Sequence, residues 1–393
     1  MKKKVALLLA FVLVFAMFAT GCGGSDDEGG DYAGTVKIGV FEPASGDNGA
    51  GGKQETLGIQ YANSVQPTVD INGETYKVEL EIVDNESDNS KAVTAAADLV
   101  SRGVSIVLGS YGSGVAIAAG ETFQNAGIPA LGITCTNPQV TDVENYHRIC
   151  FLDPFQGTVL ANYAWENGFK KAYCLSKLGD DYSDNLVNYF IAAFEKLGGK
   201  VVKEQFPNGT GDFASYVTNA KKADCDVFFS PVSTEAAALI IDQAQAQSLG
   251  MPMLAGDTWD SNVILNAAKG KDVDIVVTTF YQEGGNADFD SGVKAWIESD
   301  NKNIENNGGD SKVAAVTAMG YDAYFVALEA IKAAGSADPA DVLAVLKSVE
   351  YDGVCGKVTF NEKGDANRDN AVVKKCDTEK GEWEYVATQT VAE

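Results

Sequence analysis

The chain has 393 residues, of which 45% are hydrophobic and 9% aromatic, enough for two domains of ordinary size and too apolar for a disordered chain. Its formal net charge of −25 argues against a nucleic-acid partner, because phosphate neutralisation needs clustered Lys and Arg.

Residues 1–22 read as an export leader. MKKK is the positive segment, VALLLAFVLVFAMF the apolar one, and Ala19-Thr20-Gly21-Cys22 a run of small residues ending in Cys. The run resembles a bacterial lipobox, with Ala19 where Leu is preferred. That implies lipidation of Cys22 and a folded part held outside the cytoplasmic membrane. Residues 23–35, GGSDDEGGDYAGT, form a flexible acidic tether.

Beyond the tether, residues 35–41 (TVKIGVF) read as a strand, and a glycine-rich loop, GDNGAGGKQ, leads to a helix over 55–65. YKVELEIVD alternates as a strand does. A helix over 89–103 follows, capped by Asn89 or Ser90. VSIVLG is an apolar, β-branched run of the kind found in buried parallel strands. The turn SYGSG opens a helix that starts near Gly114 and stops at Asn125-Ala126-Gly127. The strand IPALGI then ends in a second small-residue turn, TCTNP. In an open α/β sheet both turns lie at carboxyl ends of strands, where ligands bind. Their amides, with a helix N-terminus, suit an anionic group.

At HRICFLDPFQG the pattern restarts, with alternating strands and helices to residue 280. Helices over about 289–305, 313–334 and 338–348 come next and are hard to house in a completed second domain, which predicts a return to the first. In GDTWD, Asp260 is the better-placed cap for a helix over 260–268, which frees Asp257 for another role. The predicted fold is α/β: two doubly wound Rossmann-like lobes with parallel sheets.

Chemistry is limited by scarcity. The one histidine, His147, reads as a polar residue at a strand edge, and no G-x-S-x-G elbow is present, so a cell-surface enzyme is disfavoured. DNESD has Asn89 where a calcium loop needs Gly. No CxxC or Cys/His cluster suggests a metal, and no cofactor is expected. GKVTF–NEKGDANRDN–AVVKK reads as a hairpin. Pairing Phe360 with Ala371 sets Cys355 opposite Cys376, which predicts a disulfide. Cys135 and Cys150 are a weaker pair; Cys174 and Cys225 read as buried thiols.

The segments KIGVFEPASGDNGAGG, VLGSYGSG, GIPALGITCTNP, RICFLDPFQG, DDYSD, LAGDTWDSN and GKVTFNEKGD, in this order and spacing, resemble the type I periplasmic binding proteins of the leucine/isoleucine/valine-binding branch. The resemblance implies two lobes joined by three crossovers, residues 36–153 with 281–355 and residues 154–280 with 356–390. It implies an amino acid in the cleft, delivered to the permease and ATPase subunits of an ABC transporter. It also implies site roles. Ser113 binds the ligand carboxylate, Thr134 and Thr136 the α-carboxylate and α-ammonium, Asp257 pairs with the ammonium, and Tyr182 closes over the ligand. Tyr111, Trp259 and the added acid Glu42 complete the expected set. Gly51 and Val232 stand where some members have tyrosines, so the side-chain pocket differs. Members also bind other amino acids, short amides, urea and aromatic acids, and a sensor on the same fold is the second reading.

Overall fold

A computed structural model describes residues 32–390; Cys22 and most of the tether lie outside the described residues. The first half contains β1 (Gly34–Glu42), α1 (Gly49–Val65), β2 (Thr68–Ile71), β3 (Glu74–Asp84), α2 (Asn89–Arg102), β4 (Ile106–Leu108), α3 (Ser113–Asn125), β5 (Ala130–Gly132) and β6 (Tyr146–Arg148). They build a six-stranded sheet of order β2-β3-β1-β4-β5-β6, parallel except for β2. Val36, Ile38 and Val40 of β1 are fully buried, as a central strand covered on both faces requires.

The second half contains α4 (Asp153–Glu166), β7 (Lys171–Lys177), α5 (Ser183–Lys196), β8 (Lys200–Phe206), α6 (Ala214–Lys222), β9 (Val227–Phe229), α7 (Thr234–Ala246), β10 (Met253–Ala255), α8 (Asn262–Ala268) and β11 (Ile275–Thr279). Helices α9 (Ala287–Glu298), α10 (Asn301–Asn306), α11 (Ala315–Ala334) and α12 (Pro339–Leu346) follow, and α9, α10 and α11 pack against α1 of the first lobe. The chain ends with β12 (Tyr351–Gly353), β13 (Gly356–Val358), β14 (Asn370–Asp377) and β15 (Glu382–Thr390). The last two join the second sheet, of order β15-β14-β11-β10-β9-β7-β8. Strand order reverses between β1 and β4 in one sheet and between β7 and β9 in the other. Both switch points face the same cleft, which is where open α/β sheets hold ligands.

Three expectations need correction. Cys355 and Cys376 are free thiols. Phe360 bridges Ala366 rather than Ala371. Cys376 lies opposite Trp383 on β15, and Cys355 sits after β12 with its N–H donated to Asp322 at 2.9 Å. The chain crosses between lobes after β13, so the two cysteines belong to different sheets. The cap of α2 is Asp88, whose carboxylate accepts from Ser90 N at 2.8 Å. The cap of α8 is Ser261, not Asp260.

The crossovers are tied by two arginines. Arg148 is fully buried and its Nε meets Asp365 at 2.7 Å, while Nη1 donates to Cys135 O at 3.0 Å and also to Asn137 O. Arg368 donates to Cys355 O at 2.7 Å and to Ile149 O. Replacing Arg148 by Met strands the Asp365 carboxylate. Chemical denaturation should show Arg148→Met losing about 3–5 kcal/mol of stability, the usual result of breaking a buried pair on one side. Unfolded without reductant, Cys355 and Cys376 should each alkylate separately in peptide maps.

Candidate functional site

The cavity between the switch points is lined by Tyr111, Ser113, Thr134, Tyr182, Asp257 and Thr258, among others. It measures about 50 Å³, room for a few waters. The lobes touch around it. Lys177 Nζ pairs with Asp47 at 2.6 Å, Asn137 Nδ2 donates to Asp181 O at 2.5 Å, and Ser261 Oγ donates to Gln54 at 3.0 Å. These contacts bring the two lobes together around the cavity.

Each wall follows from a strand end. Ser113 opens α3, so it presents a hydroxyl beside a helix N-terminus, the positive end of the helix dipole. Its Oγ accepts from Asn137 N at 3.2 Å, which ties the first turn to the second. Gly109, at the end of β4, has φ of 120°, and a Cβ there would come within 2.4 Å of Phe41 O, so only glycine lets this turn form. Thr134 follows β5 and donates its hydroxyl to Glu55 Oε2 at 2.6 Å. Thr136 has a buried hydroxyl with no hydrogen-bond partner. Its carbonyl accepts from Asp153 N at 3.0 Å.

The opposite lobe supplies Tyr182, before α5, and Asp257, in a single turn of 3₁₀ helix after β10. Asp257 Oδ1 accepts from Gln156 Nε2 and from the Tyr182 hydroxyl, each at 2.9 Å. No cation is paired with it among the described residues. Burial, with the nearby Asp260 carboxylate adding to it, pushes Asp257 up to about 6, against those two hydrogen bonds. The neighbouring acid differs. Asp260 meets Lys374 Nζ at 2.9 Å and the Thr279 hydroxyl at 2.6 Å. Asp257 is thus the acid of this pair left without compensation, and it lines the cavity.

Three of the expected residues, Thr136, Trp259 and Glu42, do not line it. Trp259 is fully buried in the second lobe's core, and its indole N–H goes to Val232 O at 3.2 Å. Glu42 ends the central strand β1 and is covered by the turn above it; its Oε2 accepts from Tyr111 N at 2.7 Å. Burial and the adjacent Glu55 hold the Glu42 carboxyl well above the usual range. Glu42 is therefore a support beneath the turn rather than a wall of the cleft. Val232 is likewise buried away from the cavity.

Three participants escaped the sequence reading. Glu55 holds Thr134, and burial raises its carboxyl to about 8. Gln156 holds Asp257, and Asp153, buried at the start of α4, is raised by burial to about 8. The signal was available for the first: Glu55 lies on the buried side of α1, where an acid needs a reason. Asp153 and Gln156 in DPFQG read equally well as an ordinary helix start.

His147 is on the edge strand β6, packed edge-on to Phe360 at 5.7 Å between centroids, and burial lowers it to about 4. It does not line the cavity. Among the described residues there is no cluster of three or more side chains suited to hold a metal, and no helix is long and apolar enough to cross a membrane.

The family model described as "Periplasmic binding protein" matches residues 35–380. The Leu/Ile/Val-binding protein homolog 1 of Brucella abortus is 30% identical over 370 residues, 91% of this chain and 95% of that protein. An amino acid binding protein of Pseudomonas aeruginosa is 30% identical over 355 residues, 88% of this chain and 91% of that protein. The crystal structure of a leucine binding protein, LivK, from Thermotoga maritima superposes with a TM-score of 0.78 at 30% identity, covering 90% of this chain and 99% of that one.

Without ligand, Asp257 is ionised at a cost once its pH exceeds the raised value. Unfolded, it titrates near 4; folded, near 6, so its destabilising effect is present above about 6 and is gone below about 4. Asp257→Asn should therefore raise the unfolding free energy at pH 8 by about 2 kcal/mol and change it little at pH 4, as read by chemical denaturation.

Proposed function

The chain belongs to the periplasmic binding protein family, and from that premise we propose that it is an extracytoplasmic receptor that captures an α-amino acid in the cleft and delivers it to a membrane permease. The observation that carries the ligand class is Asp257: a buried carboxylate on the cavity wall with no cation paired to it. The other lobe supplies Ser113 and the N-terminus of α3 to the same cavity, an arrangement suited to a carboxylate. One wall accepts a positive charge and the other a negative one, and their separation by a small cavity fits a zwitterion rather than a simple anion or cation. The ligand ammonium would supply the charge partner that Asp257 lacks. Tyr182, whose hydroxyl already fixes Asp257, would cover the ligand as the lobes close.

Binding without turnover is part of the same reading, since the cavity has neither a histidine nor a thiol in its lining. The polypeptide is proposed to be lipid-anchored through Cys22, on the strength of the leader and its small-residue run.

Calorimetry with a panel of α-amino acids tests the ligand class. Asp257→Asn should weaken binding roughly 30-fold or more, because it removes one partner of a buried charge pair. A bound ammonium favours the ionised carboxylate, so wild-type affinity should fall as the pH drops below about 6, and the asparagine variant should lose that dependence. Full affinity in Asp257→Asn would overturn the zwitterion assignment. Bound ligand should be recovered chemically unchanged after long incubation. Cys22→Ser should abolish partitioning into detergent; partitioning that persists would refute the anchor.

A further inference from the structure

The amino-acid reading leaves the side chain open, and one contact bears on it. Tyr111 lies two residues before Ser113, in the turn after β4. Its N–H is held by Glu42 Oε2 at 2.7 Å, and its ring is buried against Ala314 and Val316. The ring lies over the first turn of α1. A Cβ at Gly51 would sit 2.4 Å from Tyr111 Cζ, 2.5 Å from Cε2 and 2.7 Å from the hydroxyl. No side chain at position 51 can coexist with the ring in this position. The hydroxyl then crosses the cleft to donate to Thr258 O at 3.3 Å.

The ring is therefore a fixed wall. Glu42 holds its backbone, two apolar residues hold its flank, and the opposite lobe holds its tip. It lines the same cavity as Ser113, Tyr182 and Asp257. The cavity is small, about 50 Å³, so the position of this wall bears directly on the size of side chain it admits.

We propose that Tyr111, seated in the space that Gly51 leaves open, restricts this receptor to α-amino acids with small side chains, such as glycine, alanine and serine, and excludes leucine and isoleucine. The inference rests on the amino-acid reading and deepens it.

Calorimetric titration with alanine, serine and leucine tests it on the wild type and on Tyr111→Ala, Tyr111→Phe and Gly51→Ala. The wild type should bind alanine roughly 10-fold or more tightly than leucine, the discrimination a single pocket wall commonly supplies. Tyr111→Ala should shift the alanine-to-leucine ratio toward leucine by roughly 10-fold or more. Tyr111→Phe should keep the preference, since the ring remains. Gly51→Ala should weaken alanine binding, since its methyl must displace the ring. Thermal unfolding without ligand checks that each variant is folded, and the wild-type ratio decides the matter if one is not. Leucine bound by the wild type as tightly as alanine, or an unchanged ratio in folded Tyr111→Ala, overturns the role of Tyr111. Failure of the wild type to bind any amino acid overturns the amino-acid reading itself, and the inference with it.

Discussion

A carboxylate held out of water with no cation beside it is costly, and Asp257 is in that position. Two other buried acids have a cation, Asp260 with Lys374 and Asp365 with Arg148, whereas Glu42, Glu55 and Asp153 share the lack of one but do not line the cavity. Asp257 has only neutral donors, a glutamine amide and a phenol. Neutral hydrogen bonds orient the carboxylate without cancelling its charge. The burial depends on the lobes meeting, since the cavity has walls from both. Separation of the lobes would return Asp257 to water and remove the cost. Closure without a ligand therefore carries this cost, and under the proposed reading a ligand cation would offset it, so that affinity and closure would draw on the same interaction.

Such a coupling is useful only if the two turns facing Asp257 stay in place. Arg148 provides that. Its guanidinium accepts nothing and donates to the carbonyls of Cys135, Asn137 and Pro138, so it fastens the second ligand turn from behind. The same side chain holds Asp365, in the last crossover, and its backbone N–H reaches Gly364 O at 2.9 Å. One residue at the end of β6 therefore holds both the second turn and the last connection between the lobes. The planar fork of an arginine suits this set of fixed carbonyls; a lysine offers a point charge instead. The second lobe has its counterpart in Lys374, which reaches from β14 to Asp260 beneath the turn that carries Asp257.

Much of the fold was legible because its strands are short apolar runs separated by helices of clear period. VSIVLG and IPALGI could only be buried strands, and the small-residue turns after them had to lie at carboxyl ends. That logic, with the family resemblance, set Ser113, Thr134 and Asp257 at the cleft, and all three line the cavity. What failed was long-range. The antiparallel strand β2 was missed although Asn72-Gly73 is a strong hairpin signal. The final hairpin was placed one strand too early, because local alternation in GKVTF and AVVKK fits a direct pairing. Only the crossover after β13, a tertiary fact, sends those segments to different sheets. Glu42 and Trp259 were located correctly along the chain and misjudged in depth. Position after a strand says which end of the sheet a residue occupies, not whether a neighbouring turn covers it.

Glu42 has consequences for selectivity that its depth makes clear. It and Glu55 form a pair of acids beneath the first-lobe turns, with burial raising both. Glu55 takes the hydroxyl proton of Thr134, so that hydroxyl has its lone pairs but not its donor free for the cavity. Glu42 takes the N–H of Tyr111, so that amide is not available to a ligand carboxylate. Both acids thus engage donors that the turns would otherwise offer, while Ser113 and the amides at the start of α3 stay beside the cavity. Under the proposed reading, a ligand carboxylate would be drawn to Ser113 rather than spread along the turns, and Asp257 would anchor the opposite charge across the cavity. With both charged ends so assigned, the space beside Tyr111 would be left for the side chain to satisfy.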